Sequence, residues 1–85
     1  MGNVVSVVSF SKDVLPLFRP TDIEQMNVYG VLLNKYEWLS KPSNARIVYA
    51  YLSGQRTPRM PLGGPYWSDE QVNLFLQWMN GGYQR

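Results

Sequence analysis

The sequence predicts an all-α fold: one small domain of four to five short helices with a long Pro/Gly loop. Three observations carry this. Apolar residues recur at helical spacing over 42–53 and 69–80, each stretch closed by glycine. Two segments, Thr21-Asp22-Ile23-Glu24 and Ser68-Asp69-Glu70-Gln71, read as capping boxes at helix starts. Between them, residues 55–67 have no periodicity and carry Pro58, Pro61, Pro65, Gly63 and Gly64, which makes regular structure there improbable.

Taken in order, residues 1–12 are rich in Val and Ser and read as an extended N-terminal tail, loose or docked at an edge, ahead of a helical domain over 13–85. Asp13 can cap a short helix over 14–18, with Pro16 in its first turn and Pro20 ending it. Thr21 then caps a helix that runs to about Tyr29, with Glu24 reaching back and Gly30 as a left-handed stop. A single turn holds Tyr36, Trp38 and Leu39. Pro42 opens the helix over 42–53, whose face of Ile47, Val48, Tyr51 and Leu52 is the expected core side, with Arg46, Tyr49 and Ser53 on another; Gly54 closes it. In the helix over 69–80 the polar positions Asn73, Gln77 and Asn80 form one narrow stripe, so the rest of its circumference is expected to be buried. Gly81-Gly82 ends it, and Tyr83-Gln84-Arg85 folds back or frays.

The 85 residues suffice for one modest core, helped by three Trp, six Tyr and three Phe. There is no Cys, which excludes disulfides and thiolate sites and fits a reducing compartment; the expected location is cytoplasmic. There is no His, which removes the commonest general base and transition-metal ligand. The serines therefore have no triad partner, and no phosphate-cradling glycine motif is present. The pairs Asp22/Glu24 and Asp69/Glu70 fall in first helical turns, where the helix dipole stabilises them without any catalytic role. A net charge of +2 gives little steering, no nucleic-acid module motif is present, and nothing is long and apolar enough to span a membrane. The opening residues match the myristoylation pattern only loosely, without the basic cluster that stable anchoring needs. The expectation is a protein that is not an enzyme and holds no cofactor or metal.

A family resemblance adds to this reading. A helix ends in Gly54, a Pro/Gly loop carries Met60-Pro61, and Trp67-Ser68-Asp69-Glu70-Gln71-Val72 leads into a helix with Trp78 and then Gly81-Gly82. This resembles the second half of small bacterial c-type cytochrome domains, in which the loop methionine is the distal haem ligand; the matching position is Met60. Pro16-Leu17-Phe18 stands where that family often carries Pro-Ile-Phe before its Cys-x-x-Cys-His motif. Asp22 and Gln25 then replace the two cysteines and Met26 replaces the histidine, so covalent haem attachment is excluded. The resemblance covers about residues 13–82 and implies a cytochrome c-like helix arrangement without its cofactor. Side chains of Met26, Tyr36, Trp38, Met60, Tyr66 and Trp67 would then fill the haem volume.

Two function classes follow. The first is a non-catalytic accessory or protein-interaction domain, whose partner is another protein and whose contact residues are Arg56, Arg59, Tyr66 and Trp67 on the loop. The second is a binder of noncovalent haem or another apolar ligand, in a pocket formed by Met26, Trp38 and Met60. A third reading makes the chain a substrate protein, modified at its 80–85 tail by a partner enzyme.

Overall fold

The computed structural model describes residues 7–61 and 63–85, whose only regular structure is helical, with no strand among them. A π-helical turn, Phe10–Val14, runs into one 3-10 turn, Leu15–Leu17. Four α-helices follow: α1 (Pro20–Asn27), α2 (Tyr36–Leu39), α3 (Pro42–Ser53) and α4 (Asp69–Asn80). The all-α expectation therefore holds.

The helix starts explain themselves locally. In α4 the Ser68 hydroxyl accepts the Gln71 N–H at 3.2 Å, and the Gln71 side chain accepts the Ser68 N–H at 2.9 Å. Two otherwise orphaned donors are thereby satisfied, as the capping box predicted. In α3, Pro42 sits in the first turn, where its missing N–H costs nothing. Gly54 closes that helix at φ +85°, a conformation that an L side chain resists.

The start of α1 departs from expectation. The helix begins at Pro20 rather than after Thr21, and the cap carboxylate belongs to Asp22, not Glu24. Asp22 accepts the Arg19 backbone N–H at 2.9 Å and both ends of the Arg19 guanidinium, at 3.1 and 2.8 Å. Such a bidentate, charge-assisted pair outcompetes a neutral threonine cap. Asp22 is 2% exposed. Burial pushes its carboxyl up, but the Arg19 side-chain and backbone bonds, with the guanidinium charge, outweigh this and hold it below the ordinary carboxylate range.

Residues 10–12, read from the sequence as part of an extended tail, belong to the π-helical turn. Residues 1–6 lie outside the described residues, while Phe10 is buried and begins the π turn. The Ser9 hydroxyl accepts the Lys12 N–H, and Asp13 accepts the Ser9 N–H at 2.8 Å, so Asp13 braces this turn rather than capping a helix over 14–18. The turn is held from the far end of the chain: Phe10 N–H donates to the Gln84 carbonyl at 2.8 Å and Ser11 N–H to that of Arg85 at 3.3 Å. Tyr83, at φ +58°, completes the fold-back; its carbonyl accepts the Tyr36 hydroxyl and its ring stands edge-on to Trp78, 5.3 Å away.

The core is a chain of aromatic contacts. Phe18 meets Trp67 at 5.3 Å, Trp67 meets Phe75 at 6.4 Å, Phe75 meets Trp78 at 5.5 Å, and Trp78 meets Phe10 at 5.9 Å. Val14, Leu33, Leu39, Ala45, Val48 and Leu52 fill around it. The buried stripe of α3 is Ala45, Val48 and Leu52, with Tyr49 and Tyr51 packed on either side, so it is rotated from the expected face. Only Phe75 and Trp78 of α4 are fully buried; Val72, Leu74, Leu76 and Met79 are half-covered, because α3 and the N-terminal turn cover only part of its surface.

Candidate functional site

Two of the surface clefts are bordered by the segment that follows Gly54, one through Arg59 and the other through Pro58. The first is polar, has a volume of about 320 Å³, and is lined by Tyr49 and Ser53 of α3, Arg59 of the loop, and Asp69, Val72 and Asn73 of α4. Helix periodicity builds its walls: Tyr49 and Ser53 are four residues apart, as are Asp69 and Asn73, so each pair shares one helix face. Arg59 completes the lining from the loop. A Cβ at Gly54 would stand 3.3 Å from the Cδ, Nε and Cζ of Arg59, so the side chain lies directly across the glycine. Its guanidinium carbon sits 4.7 Å from the centre of the Tyr66 ring. Arg56 is placed similarly, 5.3 Å above Tyr51. Among the described residues neither arginine forms an ion pair; those present are Arg19–Asp22 and Arg85–Glu37.

Three of the four expected contact residues reach the surface of this loop. Arg56 and Tyr66 are exposed, Tyr66 at 53%, and Arg59 is half-buried. Trp67 does not join them. It is 6% exposed, wedged between Phe18 and Phe75, and so belongs to the core rather than to an interface. The sequence could not separate these two neighbouring aromatics, since either burial or contact accounts for a loop tryptophan. Tyr49, Ser53, Asp69 and Asn73 were not expected at a site. Their four-residue spacings were legible, but the packing of α3 on α4 that makes them face one another was not.

The second cleft is apolar, about 190 Å³, and lined by Met26, Tyr29, Val31, Tyr51 and Pro58. The expected pocket of Met26, Trp38 and Met60 is not assembled. Met60 is 1% exposed and packed into the core, its N–H donating to the Tyr51 carbonyl, while Trp38 packs half-buried elsewhere on the core. These residues do not fit an iron porphyrin. Met26 borders a cleft of single-ring size (a cavity of about 150 Å³ holds benzene), and Met60 is sealed.

No three acidic side chains gather as a metal cage among the described residues, and no helix among them is long and apolar enough to cross a membrane. The 80–85 tail lies along the domain, its Gln84 carbonyl taking N–H groups from both Phe10 and Trp78. Fold and clefts define a small all-α domain with an arginine- and tyrosine-bearing loop. No family model, curated protein or solved structure matches this chain.

Proposed function

We propose that this chain is a non-catalytic interaction module whose contact surface is the outer side of the loop, with Arg56, Arg59 and Tyr66 as its anchors. The observation that carries the reading is the pair of arginines held over tyrosine rings without an internal carboxylate among the described residues. Stacked guanidinium groups have already lost much of their freedom, so a partner need not order them, and Arg and Tyr are the residue types that dominate binding energy at interfaces. The lack of any His or Cys in the sequence supports the non-catalytic part. On this reading the resemblance to small cytochrome c-type domains marks a haem-less relative kept as an accessory or scaffold domain. The test is capture of a partner from source-cell extract by the immobilised full chain. Arg59→Ala and Tyr66→Ala are expected to lose capture with unchanged far-UV circular dichroism. Capture equal to that of the parent chain overturns the reading.

The apolar cleft beside Met26 favours a second reading, a site for one small aromatic or aliphatic group. Titration with indole should then shift the Met26 methyl resonance saturably. An unmoved resonance ends that reading.

A further inference from the structure

We infer that the polar cleft between α3 and α4 is a carboxylate-reading pocket that takes an acidic side chain of a protein partner. This rests on the interaction-module reading and names the chemistry of the contact. Arg59 is fixed along most of its length: its stem lies over Gly54 and its guanidinium over Tyr66. Its Nε is fully covered and has no acceptor among the described residues. Arg59 lines the cleft, so the atoms left to meet a ligand there are the two Nη amines. A planar guanidinium held in place presents paired N–H groups that match a carboxylate.

The cleft also holds the reason for choosing a carboxylate over a phosphate. Asp69 lines the same cleft without pairing with Arg59. This negative charge repels a phosphate dianion about twice as strongly as a single carboxylate, and a ligand that brings N–H donors beside its carboxylate gives Asp69 a partner. A peptide has both: an Asp or Glu side chain for Arg59, and backbone N–H groups for Asp69. Asn73 adds an amide that can serve either. A volume of about 320 Å³ is at the small end of ligand pockets, enough for one side chain and its adjoining backbone.

The test is a nuclear magnetic resonance titration of the ¹⁵N-labelled full chain with acetyl-Gly-Glu-Gly-amide, the matched Gln peptide and inorganic phosphate. The Glu peptide should shift the Arg59 Nε–H and the Asn73 side-chain amide saturably, and the Gln peptide should bind about tenfold more weakly or worse. Arg59→Lys keeps the charge but loses the fork, and should weaken the Glu peptide by about tenfold with the amide spectrum otherwise preserved. Equal binding by the Glu and Gln peptides, an equal response to phosphate, or an unaffected Arg59→Lys overturns the assignment. Failure of the peptide while Arg59→Ala and Tyr66→Ala still lose the partner removes the carboxylate assignment and leaves the interaction module. Peptide binding with capture undiminished in those variants overturns the interaction module and the protein partner with it, leaving a carboxylate site alone.

Discussion

The indole N–H of Trp78 donates to the Gln84 carbonyl at 2.8 Å, and the backbone N–H of Phe10 donates to the same oxygen at 2.8 Å. One acceptor therefore joins α4, the N-terminal turn and the last residues. Trp78→Phe removes one donor and part of a buried ring. The expected loss is about 1–3 kcal/mol, read from urea denaturation midpoints. Amide exchange at Phe10 should quicken in the same variant.

Tyr66 and Trp67 should separate cleanly. Trp67→Ala leaves a hole between Phe18 and Phe75 and should cost about 3–5 kcal/mol, a large share of a small domain's stability. Tyr66→Ala gives up an exposed ring and its contact with Arg59, and should cost about 1 kcal/mol or less. Thermal melts of the two variants check both expectations.

Gly54 serves the backbone and Arg59 together. Gly54→Ala sets a side chain at φ +85° and places its Cβ 3.3 Å from three Arg59 atoms. Stability should fall by about 1–2 kcal/mol through the backbone alone. The displaced guanidinium should also weaken partner capture beyond what the unfolded fraction explains.

Asp22 makes stability depend on pH. Its carboxyl is held below the ordinary range in the folded chain, so the unfolded chain takes up the proton first as pH falls. The stabilisation is therefore complete at neutral pH and is lost as pH drops through the ordinary carboxylate range and on through the lower folded value. Asp22→Asn should be less stable than the parent at about pH 7, and the gap should close towards about pH 2. Urea midpoints across that range measure it.

The limits of α3 and α4 were legible because Pro42, Gly54, Ser68 and Gly81 are local signals that need no knowledge of the rest of the fold. The start of α1 was not legible because Thr21 and Glu24 fit the capping rule, whereas Arg19 and Asp22 do not. Only the bidentate guanidinium contact decides between them. The N-terminal turn was missed because its partners, Gln84 and Arg85, lie more than seventy residues away. The candidate site divides the same way. Arg56, Arg59 and Tyr66 stood out by type within a Pro/Gly loop, while Asp69 and Asn73 became part of a cleft only through the packing of α3 on α4. The burial of Met60 agrees with its expected part as a filler and not with its part in a ligand pocket; a loop thioether serves either, and only packing decides.

The acceptors for Phe10 and Ser11 N–H come from residues 84 and 85. A nascent chain emerges from the ribosome with its beginning first, so the opening turn waits for nearly the whole domain before its backbone is satisfied. α3 and its glycine stop can form early, but closure must come late. Protection of Phe10 in ribosome-stalled chains should therefore appear only once residue 85 has cleared the exit tunnel.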